Sequence, residues 1–162
     1  MNTIQHWING TTVAAGQDSR FADVVNPATG VTSGKVALAS ADQTREGIRA
    51  AAEAFPAWRD TSLTKRTSIM FAFRELLNAR KQELAGIITA EHGKVVSDAL
   101  GEVSRGLEVV ELACNMPYLL KGGHTENAST GVDVHSVRQP VGVAAIISPF
   151  NFPAMVPLWF FP

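Results

Sequence analysis

The chain has 162 residues, 46% of them hydrophobic and 18% charged, with a formal net charge of −1 at neutral pH. That length suits one ordinary core, and the near balance of charge argues against nucleic acid or an anionic membrane surface as a partner. A single cysteine excludes an internal disulfide framework and fits a reducing, cytoplasmic setting. The start, Met1-Asn2-Thr3-Ile4-Gln5-His6, has neither a basic cluster nor an apolar stretch, so no secretory signal is expected.

Residues 4–38 read as strands and turns. Asn9-Gly10 is one turn signal, and Asn26-Pro27-Ala28-Thr29-Gly30 is a second, across which Val24-Val25 and Lys35-Val36-Ala37-Leu38 would pair as a hairpin. Ser40 with Gln43 has the form of a capping box and opens a helix with Ile48, Ala51, Ala52 and Phe55 on one face, expected to end near Pro56. From Thr64 to about His92 apolar residues recur at three and four, as in one long helix stopped by Gly93. Ser97 is expected to cap a third helix, whose buried stripe takes in Leu100, Val103, Leu107, Val110, Leu112 and Met116. Residues 124–138 lose the helical period. With Val132, Val134, Ser136 and Arg138 alternating, they read as two strands around a Thr130-Gly131 turn that need a partner.

The stretch 141–162 is the most apolar, but Asn151 and prolines at 140, 149, 153, 157 and 162 break it, so a membrane-spanning helix is not expected. Val141 to Ile147 reads as a buried strand that stops at Ser148-Pro149. The mouth beyond the carboxyl end of such a strand is where α/β proteins place ligands. Asn151 would stand there as a neutral hydrogen-bond donor for a reacting oxygen. The plainer alternative is an N-cap for a helix beginning at Phe152-Pro153. Cys114 lies in an apolar helical pattern without a neighbouring His or Lys, the setting of a structural cysteine. His6, His92, His124 and His135 lack metal-ligand spacing, so no metal site is expected, and no Gly-x-Gly-x-x-Gly fingerprint occurs.

Taken together, Asn26-Pro27-Ala28-Thr29-Gly30, Glu91-His92-Gly93-Lys94, Arg138-Gln139-Pro140-Val141-Gly142-Val143 and Pro149-Phe150-Asn151-Phe152-Pro153 resemble, in order and spacing, motifs of the aldehyde dehydrogenase superfamily. Phe150 in the usual Trp place, with Gly101-Glu102-Val103-Ser104-Arg105-Gly106 and residues 125–131, is similar to its CoA-acylating methylmalonate-semialdehyde branch. The resemblance implies an α/β fold: the N-terminal part of an aldehyde dehydrogenase, with an incomplete Rossmann-like nucleotide domain and part of the oligomerisation sheet. Residues 1–121 would be the N-terminal part of the NAD-binding domain, as hairpin strands plus three helices. Residues 122–140 would be oligomerisation strands, and 141–162 the first nucleotide-domain strand with the start of the next helix, truncated.

The resemblance further implies that Asn151 steadies an oxyanion, that Ser148, Pro149 and Phe150 line the nicotinamide–ribose site, and that Arg105 binds the carboxylate of a semialdehyde. A guanidinium matches a carboxylate in two hydrogen bonds, although Arg105 paired with Glu102 or Glu108 on its own helix is the simpler alternative. Glu91 and Lys94 read as the charged end of a helix and are assigned no chemistry. The cofactors implied are NAD and, as co-substrate, coenzyme A. The whole enzyme would be a homo-oligomer, a tetramer by expectation, converting methylmalonate or malonate semialdehyde to propionyl-CoA or acetyl-CoA in valine and inositol catabolism. The family nucleophile belongs to a motif outside these residues, so the fragment alone is expected to be inactive. The rivals are a hydrolytic dehydrogenase of another branch, for example for succinate semialdehyde, and a non-catalytic interaction module.

Overall fold

The computed structural model describes residues 2–16 and 19–162. Its strands come first. β1 (Asn2–Ile4), β4 (Arg20–Val25) and β5 (Thr32–Leu38) form a three-stranded sheet with β5 in the middle, parallel to β1 and antiparallel to β4. β2 (His6–Ile8) and β3 (Thr11–Val13) form a separate hairpin, closed by Asn9 and Gly10 at φ 51° and 74°. Both positions need the left-handed region that Asn and Gly tolerate best. A hairpin does cross residues 26–30, but in another register than expected: Val24 and Val25 pair with Gly34 and Thr32, and Lys35–Leu38 pair with Arg20–Asp23. The Asn26 side chain accepts from the Ala28 N–H, and Gly30 takes φ 72°.

Four helices follow where three were expected. α1 (Ala41–Asp60) starts at the Ser40–Gln43 capping box, but it runs through Pro56 instead of stopping there. Proline forfeits its own N–H and crowds the carbonyl one turn back, a cost this helix bears near its end. The turn beyond it is closed by Thr61, whose hydroxyl donates to the Ala57 carbonyl and whose N–H donates to Trp58. The long pattern from 64 to 92 is two helices, α2 (Leu63–Ala79) and α3 (Lys81–His92), with Arg80 serving as the end of one and the start of the other. A one-residue break shifts the apolar rhythm too little to appear in the sequence. α3 ends at Gly93, φ 83°, as expected. A side chain on Gly93 would also run into the Pro27 ring at 2.9 Å, so this stop is docked on the 26–30 turn.

α4 (Val96–Cys114) is the core helix. Ala99, Val103, Leu107 and Val110 face Leu77, Ala85 and Ile88 on one side and Ala154 and Leu158 on the other. Its cap is Val95, without a side-chain hydrogen bond, so Ser97 does not cap it. Leu112 and Met116, expected in the stripe, are exposed. α5 (Met116–Leu119) and α6 (Pro157–Phe160) are single turns. Gly106 lets α6 approach α4, since a Cβ there would lie 2.5 Å from a Leu158 methyl.

β6 (Gly123–Ser129) and β7 (Val132–Ser136) form an antiparallel ribbon whose residues are all exposed. Residues 137–149 form no ladder with any described segment, so the strand expected at 141–147 is not a strand here. Ile147 is 98% and Phe150 88% exposed. An extended segment becomes a strand only when a neighbour takes its backbone N–H and C=O groups, and among the described residues none does.

Candidate active site

Directly after this open stretch the chain turns inward. Residues 153–156 form a turn leading into α6, with the Val156 N–H donating to the Phe152 carbonyl and the Leu158 N–H to Ala154. Ala154, Met155, Val156 and Leu158 are buried. The first N–H groups of such a turn lack partners within it, and Pro153 has none to offer. A side chain from another helix supplies the acceptor: Glu102 of α4, 1% exposed, takes the Ala154 and Met155 N–H groups on Oε1 at 2.7 and 3.1 Å.

Its other oxygen, Oε2, accepts from Lys94 Nζ at 2.6 Å. Lys94 also donates to the Asn151 carbonyl at 3.1 Å, and its ammonium lies 4.7 Å from the centre of the Phe152 ring. Burial pushes the Glu102 carboxyl up, but the hydrogen bonds from Lys94 and the two N–H groups outweigh it and hold the acid below its ordinary range. Glu102 is therefore a buried, ionised carboxylate with both oxygens engaged.

Beside this network lies a cleft of about 430 Å³ lined by Lys94, Ser97, Gly101, Glu102, Arg105, Asn151 and Phe152, among others. Two of the residues singled out in the sequence, Arg105 and Asn151, thus share one cavity although 46 positions separate them. Among the described residues Arg105 makes no ion pair, neither with Glu102 nor with Glu108. Nor does Asn151 cap the turn with its amide; only its main-chain carbonyl is engaged. The cleft therefore combines an uncommitted guanidinium with an uncommitted carboxamide, donors suited to an anionic, carbonyl-bearing small molecule, and it carries the Asp98 carboxylate on the same lining.

The other residues singled out lie elsewhere. Ser148, Pro149 and Phe150 stand on the exposed segment, outside the cleft lining. The Phe150 ring is almost wholly exposed there. Cys114 is buried at the far end of α4, twelve residues or about 18 Å along the axis from Glu102. Burial and the nearby Glu111 push its thiol up, away from thiolate. A second groove, between α2 and α3, is apolar apart from the Arg80–Glu83 pair and offers little to orient a reacting group. No described helix is long and apolar enough to cross a membrane.

Glu102 and Lys94 are the site residues that motif reading passed over. A signal existed for Glu102: it occupies the same helix face as Ala99, Val103 and Gly106, and a carboxylate on a core face requires a buried partner. Lys94 stood in a quoted motif but read only as the charged end of a helix, because its partners lie 8 and 57 positions away.

The aldehyde dehydrogenase family profile matches residues 13–162, and the chain belongs to that family. Its fold is the N-terminal part of the aldehyde dehydrogenase fold. Among relatives, the malonate-semialdehyde dehydrogenase of Pseudomonas aeruginosa is 47% identical over the whole chain, which spans 32% of that protein. The acylating mitochondrial methylmalonate-semialdehyde dehydrogenase of Arabidopsis thaliana is 47% identical over 94% of the chain and a quarter of its own length. Among solved structures, methylmalonate-semialdehyde dehydrogenase from Oceanimonas doudoroffii superposes with a TM-score of 0.93 at 49% identity, covering 99% of this chain and 33% of that one. A Sinorhizobium meliloti 1021 protein assigned to the same activity, complexed with NAD, gives 0.93 at 43%, with 99% and 33% covered. The chain thus spans about a third of the length of the relatives it matches.

Proposed function

We propose that these residues supply the oxyanion donor and the substrate carboxylate site of an NAD-dependent, CoA-acylating dehydrogenase for malonate or methylmalonate semialdehyde. The observation that carries this is the shared cleft of Arg105 and Asn151, both without competing partners. Arg105 would hold the carboxylate of the semialdehyde and Asn151 would donate to its aldehyde oxygen as negative charge develops there. A neutral donor aimed at such charge is worth about 2.7–4 kcal/mol in comparable sites. NAD would accept the hydride, with Ser148, Pro149 and Phe150 along one side of its nicotinamide–ribose end.

The attacking thiolate would come from outside residues 1–162, because their one cysteine, Cys114, is buried away from the cleft. By themselves these residues are therefore expected to form no NADH. Residues 1–121 and 141–162 would belong to the nucleotide domain and 122–140 to an oligomerisation sheet. The fully exposed β6–β7 ribbon, with its unpaired edges, supports assembly into a homo-oligomer such as a tetramer. A cytoplasmic location is proposed with it, in keeping with one free cysteine.

The test is a chimera in which residues 1–162 replace the matching third of the P. aeruginosa relative. With NAD and either semialdehyde, NADH formation beyond one equivalent per active site should require CoA and yield acetyl-CoA or propionyl-CoA, the substrate carboxylate leaving as CO₂. A folded chimera that oxidises the semialdehyde equally well without CoA, releasing a free acid, would overturn the acylating assignment. Preference for an uncharged aldehyde would overturn the role of Arg105.

A further inference from the structure

We propose that Glu102 and Lys94 act as a positioning pair that sets where the Asn151 carboxamide stands, an inference that rests on the oxyanion role proposed for Asn151. The turn carrying Asn151 has few other constraints. Upstream, residues 137–149 pair with nothing described, and the Asn151 side chain makes no hydrogen bond of its own. Pro153 cannot donate. Two anchors remain, Lys94 on the corner between α3 and α4 and Glu102 in the second turn of α4. Lys94 grips the chain at the Asn151 carbonyl, and Glu102 grips it three and four residues later at the Ala154 and Met155 N–H groups. The salt bridge at 2.6 Å links the two grips, so the carboxylate locates the ammonium and both locate the peptide plane next to the Asn151 side chain. The cation over the Phe152 ring fixes the following residue as well.

A buried seat for an apolar turn does not require a carboxylate bonded to a lysine. Glutamine at 102 would keep an oxygen for the two N–H groups, yet it would present an amide N–H₂ or a neutral oxygen to Lys94 and loosen the grip on Asn151. The chain still folds, with some loss of stability, and the catalytic consequence falls on the geometry of the donor. Displacement of a reacting or stabilising group by about 1 Å costs on the order of 100-fold in rate.

The test uses the chimera described above, with turnover expressed per titrated active site. Glu102→Gln and Lys94→Met should each lower kcat by about 100-fold while the KM for semialdehyde stays within about threefold. In an Asn151→Ala background neither substitution should lower kcat further, because the pair acts through the amide already removed. An equal loss in both backgrounds would overturn the proposal, as would fewer active sites with unchanged kcat per site, which is what a merely structural role gives. Should the unsubstituted chimera form no NADH, the dehydrogenase reading itself fails. The clamp is then read from amide exchange in the 162-residue chain, where Glu102→Ala should speed Ala154 and Met155 by about tenfold or more. Unchanged exchange there would overturn the clamp independently.

Discussion

Residues 141–150 and 151–158 are adjacent in one apolar run and fare in opposite ways. The first group is mostly apolar yet lies open, with Ile147 and Phe150 almost wholly exposed. In the second, Ala154, Met155, Val156 and Leu158 are buried, and Ala154 and Leu158 join the core around α4. Hydropathy does not separate them; partners for their backbone do. The downstream turn meets a carboxylate that takes its free N–H groups, whereas the upstream segment meets no acceptor or donor among the described residues. Asn151 stands at the boundary, exposed itself, with its carbonyl held by Lys94.

The contrast can be broken most severely at Glu102. Glu102→Ala leaves the half-buried Lys94 without its counter-ion and two buried N–H groups without an acceptor, and should cost about 3 kcal/mol, read as a lower melting temperature and urea midpoint. Asn151→Ala should leave stability unchanged and reduce kcat of the chimera by about 10²–10³-fold. An equal loss of stability would mean that the amide is part of the anchor. Arg105→Ala should raise the KM for a carboxylate-bearing aldehyde by about 10- to 100-fold, the worth of charge-assisted hydrogen bonds, and leave an uncharged aldehyde unaffected.

Gly106→Ala tests the seat of α6. The new methyl would overlap Leu158, which is buried and cannot swing out freely, so a loss of about 1–3 kcal/mol is expected in thermal unfolding. The smallest effect is a dependence on pH. The Glu102 carboxyl is held below its ordinary value of 4.5 in the folded chain, so its contribution is fully present above that value and lost as pH falls through the lower folded one. The gap in melting temperature between the native chain and Glu102→Gln should therefore be widest near neutrality and close in acid. A gap that widened in acid would reverse the assigned sign.

The N-terminal elements were legible because their signals are local. The Ser40–Gln43 box, the 26–30 turn, the Gly93 stop and the 130–131 turn each depend on residues within a few positions of one another, and each forms as expected. Pro56 and Arg80 were misleading for the same reason: a breaker can be tolerated, and a one-residue break can hide inside a continuous rhythm. Arg105 and Asn151 could be named from motifs, but nothing in their neighbourhoods said that they line one cavity.

What the sequence determined alone was the set of turns, caps and amphipathic faces, together with the family, since these follow from short-range sterics and from motif order. Tertiary structure alone decided that Glu102 reaches 52 and 53 positions ahead to cap a turn, that Lys94 reaches 57, and that the run 141–147 stays unladdered. The physical reason is the same in each case. A hydrogen bond between distant residues is set by how the helices pack, and a strand exists only beside another strand.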